Sequence, residues 1–245
     1  MSYNSTIIFL VASFGLVAPA RAAIQNSFYS ESTYYEKYDL VTESRLRSLL
    51  NWQESEFLES GVYLGASIQY QSPDAAQKYY DSAMTPQLGL QFRFIKKIYL
   101  QLQAGVRTVI DADSQAEKKT EWDPRVILST GDILYASPSS KYFAEYYGEV
   151  SAVPRIDATP VSTAWLKLGA RFSPWKNIYT DPYVEAFTRE SRNDDLGPTL
   201  TQYRAGARFL WWMPAWNVAA LIYHGFDNDD ETAAIEGLFV VGGNF

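Results

Sequence analysis

The sequence predicts an all-β chain closed into a transmembrane antiparallel β-barrel of about twelve strands, and three observations predict it. The first is a polar average that carries an aromatic excess. Of 245 residues, 47% are hydrophobic and 16% are Phe, Trp or Tyr, yet mean hydropathy is -0.21. A surface with one apolar and one polar half reconciles these values. The second is period-two alternation sustained for about ten residues at a time, longer than the five or six of soluble strands and close to the roughly 9 to 11 that cross a bilayer with tilt. The third is that short and long connections alternate, as they do on the two rims of a spanning barrel.

Residues 1–22 read as a secretory signal peptide. An apolar run from Ile7 to Ala18 is followed by Pro19 and then by the small-x-small site Ala20-Arg21-Ala22 before Ala23. The run is shorter than the roughly 20 residues of a spanning helix. Neither Lys nor Arg precedes it. Removal takes away Arg21 alone and leaves 20 basic against 28 acidic residues, a net charge of -8. Residues 23–245 then form a single barrel domain.

Before residue 60, strands are expected over Ser27–Glu36 and Leu40–Trp52, with Leu46, Ser48, Leu50 and Trp52 opposite Arg45, Arg47 and Asn51. A helix through Leu46, Leu49 and Leu50 is the alternative. With both segments the count is about twelve and without them about ten, each even as single-chain barrels require. Beyond residue 60 the alternation is plainer. Val62, Leu64, Ala66, Ile68 and Tyr70 share one face, as do Leu88, Leu90, Phe92 and Phe94, then Ile98, Leu100, Leu102, Ala104 and Val106. Ala164 to Phe172 and Tyr203 to Trp211 repeat the pattern. Short turns are expected near Lys97, Ser139, Trp175 and Ala215, and longer loops over 72–85, 111–123, 154–159, 190–199 and 227–231. Nine prolines fall in loops or at segment ends, where a missing N–H costs nothing; Pro182 alone falls inside, so its strand is expected to begin there. Gly169-Ala170-Arg171-Phe172 recurs 37 residues later as Gly206-Ala207-Arg208-Phe209, a hairpin-sized repeat.

The ending Gly237-Leu238-Phe239-Val240-Val241-Gly242-Gly243-Asn244-Phe245, with the signal and the alternating segments, resembles bacterial outer-membrane β-barrel proteins. The resemblance implies residence in the bacterial outer membrane, contact with its lipids and lipopolysaccharide, and recognition by the barrel-assembly machinery. Phe239, Val241 and Phe245 share a face and would be the insertion signal. Short turns would lie in the periplasm and acidic loops outside.

Composition excludes several chemistries. Cysteine is absent and His224 is the one imidazole, which argues against disulfide scaffolds, cysteine-ligated zinc and His-rich metal sites; no metal or other cofactor is expected. A charge of -7 and a pI near 4.8 argue against nucleic acid. Ionised groups are costly toward lipid, so their phase assigns Arg93, Arg107, Glu145, Glu149, Lys167, Arg171, Glu185, Arg204, Arg208 and Glu236 to the bore. As pore-lining residues they would select small polar or anionic solutes in a passive channel or gated pore. Paired across a narrow bore they would close it, leaving a structural, adhesion or receptor barrel that acts through its loops.

Inward glycines at 65, 89, 105, 169 and 206 would widen the bore or relieve curvature. Tyr63, Tyr99, Tyr147 and Trp165 are packing side chains or a stacking track for sugars. No enzyme is expected. A lipid-modifying hydrolase is the third reading, with His224 its sole candidate and no serine at a matching spacing. The acidic runs at 111–123 and 227–231 are solvated loops or ligands for divalent cations. Trp175, Trp211, Trp212 and Trp216 suit an interfacial girdle.

Overall fold

The computed structural model describes residues 23–35, 39–55, 57–73, 81–95, 97–110, 120–137, 140–153, 159–192, 199–227 and 234–244. The signal segment and Phe245 lie outside them, as do most residues of the two acidic runs.

Strands β1 (Ala23–Tyr35), β2 (Asp39–Glu54), β3 (Leu58–Gln71), β4 (Ala83–Phe94) and β5 (Ile98–Val109) follow one another in an antiparallel meander. Next come β6 (Thr120–Trp122), β7 (Arg125–Tyr135), β8 (Tyr142–Val153), β9 (Thr159–Ala170) and β10 (Phe172–Trp175). The chain ends with β11 (Ile178–Ser191), β12 (Leu200–Trp212), β13 (Trp216–Asp227) and β14 (Ala234–Asn244). Pairing of β1 with β14, from Ser27↔Asn244 to Tyr34↔Gly237, closes the ring. Two staves are broken. Strands β6 and β7 both pair with β5 and meet at Asp123-Pro124, while β9 and β10 both pair with β11 and meet at Arg171. Fourteen strands therefore make twelve staves, and the segment before residue 60 supplies two of them.

The side-chain phase is that of a spanning barrel. Leu64, Leu88, Leu128, Leu166, Val184, Phe209, Ile222 and Phe239 are exposed on the outside, alternating with buried Tyr63, Gln91, Arg107, Lys167, Glu185, Arg204, Tyr223 and Glu236. Leucine outside and guanidinium inside inverts a soluble sandwich, and only a lipid surround stabilises that arrangement. Trp175, Trp211, Trp212 and Trp216 are exposed near the short-turn rim, where the indole suits the headgroup boundary.

Several expectations need correction. The full staves run from 11 to 16 residues, longer than read from the alternation, because each continues past the apolar band into its rim. Strand β11 begins at Ile178, not Pro182. Pro182 is tolerated because the neighbouring stave is broken opposite it, so its missing N–H forfeits a ladder bond already interrupted. Pro86 likewise lies inside β4, which begins at Ala83, at a gap in the β4–β5 ladder. The connection at 36–38 is short although it lies on the long-loop rim.

Candidate functional site

The 37-residue repeat explains the bore's most ordered wall. Lys167 and Arg171 on one side, and Arg204 and Arg208 on the other, occupy corresponding positions of the two copies. Strand β11 lies between them with Asp181 and Glu185 on its inner face. Glu185 faces Lys167 across β9 and Arg204 across β12, with ion pairs of 3.1 and 2.8 Å. One turn of alternation lower, Asp181 takes Arg171 as a fork, Nε to Oδ1 at 3.0 Å and Nη2 to Oδ2 at 2.8 Å. Arg208 donates to the same carboxylate through Nε and Nη2 at 3.0 and 2.8 Å, and through Nη1 to Glu145 at 2.8 Å. Asp181 is fully buried. A charge so enclosed is tolerable only with its partners in place.

The remaining residues assigned to the bore from sequence also point inward. Arg93 pairs with Glu59 at 2.9 Å and Arg107 with Asp81 at 3.3 Å. Glu149 accepts the Tyr147 hydroxyl at 2.7 Å, and Glu236 is buried opposite Tyr223. Of these ten, the strand-to-strand geometry brings Glu145, Lys167, Arg171, Glu185, Arg204 and Arg208 into one cluster. Arg93, Arg107, Glu149 and Glu236 sit apart from it.

Sequence reading missed Asp181, Asp123, Glu43, Arg45 and Arg47. Asp123 reads as part of an acidic loop, solvated or cation-binding, but it is fully buried at the stave break and receives Arg125 Nε and Nη2 at 3.0 and 2.7 Å. The alternation Tyr179, Asp181, Tyr183, Glu185 would have placed Asp181 inward had Pro182 not been taken as a strand start.

Aromatic rings and glycines form a second layer. A Cβ added at Gly89 would lie 2.5 Å from the Tyr63 ring, at Gly169 2.8 Å from Phe143, and at Gly206 2.6 Å from Tyr223. At Gly89 and Gly169 the glycine seats a ring from the neighbouring strand against the wall, and at Gly206 it admits the close approach of the Ile222–Tyr223 backbone. Cations then cover the rings: Arg47 lies 3.8 Å over Tyr63, Arg204 4.1 Å over Phe187, and Lys167 4.8 Å over Trp165. Arg93 stands 5.6 Å over Tyr99, and Tyr147 stacks on Trp165 at 6.0 Å. Each of the four rings proposed for a sugar track has a cation or another ring as a neighbour, while Tyr147 and Trp165 also border the larger cavity of the bore.

Beside this packed wall, described residues of the bore line two cavities. The larger, about 540 Å³, is lined from β1, β2, β8, β9 and β11–β14 together with Gln69 of β3. That volume lies within the roughly 300–1,000 Å³ of small-molecule pockets. The smaller, about 100 Å³, is lined from β2–β5, β7 and β8, and Gln69, Gln87, Gln101 and Gln103 are on its surface. Glu43, Arg45, Arg47, Gln69 and Glu149 line both.

Outside, His224 faces away from the bore, with Phe226 edge-on at 4.7 Å and Ala205 and Ile235 as cross-strand neighbours. Phe239 and Val241 also face outward. On the short-turn rim, Lys97 donates to Asp132 at 2.6 Å, a bond that holds its ammonium above the ordinary lysine range. Among the described residues, no group of three or more His, Asp or Glu side chains is placed to hold a metal.

No protein-family model and no curated protein sequence matches the chain. Its topology is similar to that of the β domain of the Bordetella autotransporter BrkA, at 15% identity over 91% of this chain and 98% of that one, with a TM-score of 0.47. An outer membrane channel from Pseudomonas putida F1 is 13% identical over 94% and 97% of the two chains, with a TM-score of 0.43. LpxR from Salmonella typhimurium is 12% identical over 89% and 99%, with a TM-score of 0.44. At these scores the assignment to a closed twelve-stave barrel rests on this chain's own strand pairing.

Proposed function

We propose that this chain is a bacterial outer-membrane barrel that forms a narrow passive passage for small polar solutes. The carrying observation is the pair of cavities of about 540 and 100 Å³ that share five polar lining residues inside a closed ring. Polar lining and an apolar exterior are the division a solute path through lipid requires. The Arg and Lys set of β9–β12 contributes little net field, because its charges are offset by Asp181, Glu185 and Glu145 at ion-pair distance. That favours polar solutes over strongly anionic ones. Purified protein in a planar bilayer should give discrete conductance steps. Folded, heat-modifiable protein that gives none would overturn the reading.

The same network favours a second reading, a sealed barrel that works through its loops. There the ion pairs and the cation-covered rings complete a plug, and the bilayer recording is silent.

A further inference from the structure

We infer that Arg45 is the selectivity-determining residue of this bore, a cationic arm that separates its two cavities; the inference rests on the passage reading above. Arg45 projects from β2, and β8, which carries Glu149, lies nearly opposite it in the ring order. Both side chains line both cavities. A charge bordering two voids from nearly facing staves stands where they meet, and every solute crossing between them passes it.

Its anchorage to a carboxylate of its own stave, an arrangement Arg125 shares through Asp123, differs from that of the packed-wall cations. Arg45 donates Nε and Nη2 to a single oxygen of Glu43, at 2.8 and 2.7 Å, and Glu43 is two residues away on the same strand. Arg171, by contrast, is forked onto a carboxylate of the next strand. The Arg45 side chain is 50% exposed, against 6% for Lys167, 7% for Arg204 and 11% for Arg208. Those three are walled in, whereas Arg45 reaches into the water of the bore. The charges that act on it include Glu43, Glu149, Glu31 and the like-charged Arg47. A solute anion therefore meets an accessible guanidinium here, and a cation meets Glu43 and Glu149 once the arm is removed.

Single-channel conductance and reversal potential in a salt gradient test this. Arg45→Ala is expected to raise conductance about twofold or more and to shift preference toward cations, and Arg45→Glu to shift it further. Arg45→Lys should keep the wild-type preference, and Glu149→Gln should move it toward anions. Lys97→Gln, in the β4–β5 turn, serves as the unaffected control. A conducting wild type with unchanged conductance and reversal potential in Arg45→Ala and Arg45→Glu would overturn the role of Arg45 while leaving the passage intact. A silent wild type defeats the open passage. Steps that then appear in Arg45→Ala would show the arm to be what closes it, and continued silence in folded Arg45→Ala would overturn the inference as well.

Discussion

Strands β9–β12 and strands β3–β5 face the same bore and fill it by different chemistry. The first wall carries Lys167, Arg171, Arg204 and Arg208 around Asp181 and Glu185, with each carboxylate held from both neighbouring strands. The second presents mainly neutral amides, Gln69 and Gln71 on β3, Gln87 and Gln91 on β4, and Gln101 and Gln103 on β5, with the pairs Arg93–Glu59 and Arg107–Asp81 toward its two rims. Ion pairs shared between strands fix a wall in one arrangement, because moving any member strands a charge. Amides accept and donate interchangeably, so solute or water replaces one partner with another at little cost. The packed wall is thus the scaffold, and the amide wall borders the space a solute can use.

Removing one carboxylate from the packed wall and one from the border of the open space, on β2, measures that difference. Asp181→Ala leaves Arg171 and Arg208 facing a void, and we expect a loss of about 3–5 kcal/mol in urea unfolding from lipid vesicles. Glu43→Ala, bordering the cavity, breaks a pair open to water and should cost under about 1 kcal/mol. Equal losses would erase the distinction between wall and arm. The orientation of both walls is tested by Leu166→Arg, which places a guanidinium on the exposed outer face of β9 and should cost about 2–4 kcal/mol. A neutral outcome there would mean that this face does not meet acyl chains.

Much of the scaffold is legible in the sequence. Period two assigned Leu166 and Arg204 to opposite faces, and lipid makes that phase strict because ionised groups cannot turn outward cheaply. The repeat was visible too, but not its meaning. Lys167 and Arg171 recur as Arg204 and Arg208, and only the register shows Asp181 and Glu185 lying between the copies. Proline misleads twice. Pro182 reads as a strand start and Pro86 as a loop or segment end, since sequence cannot show that the partner ladder is interrupted opposite them. Arg45 went unassigned for a different reason. Its importance lies in exposure within an enclosed space, and no spacing rule encodes how far an inward cation reaches from the wall.

The glycine seats offer a test of intermediate size on the amide wall. Gly89→Ala would put a methyl carbon 2.5 Å from the Tyr63 ring and 2.6 Å from the Leu102 carbonyl oxygen. Tyr63 is nearly fully buried under Arg47, so its ring has little freedom to retreat. Overpacking of this kind costs about 1–3 kcal/mol. Tyr63→Ser in the same chain should recover part of the loss, because it removes the ring although the carbonyl contact remains, and a double-mutant cycle reads the coupling. Additive effects would show that the glycine serves sheet curvature rather than ring seating.

A small effect is expected at the turns on which the two walls end. Both carry a residue in the left-handed region: Asn177, with φ of 64°, joins β10 to β11, and Ile95, with φ of 52°, follows β4. Asparagine visits that region readily, whereas a β-branched side chain crowds the adjoining carbonyl there. The Ile95 side chain is exposed, and its N–H donates to the Phe57 carbonyl at 2.9 Å, so the neighbouring turn holds the conformation. Ile95→Asn should therefore stabilise the barrel by about 1 kcal/mol, and Asn177→Ile should destabilise it by a similar amount. Both read out as shifts of the urea midpoint. Opposite signs would place the strain at the end of the amide wall, where the chain gives up stability, and keep the ion-paired wall free of it.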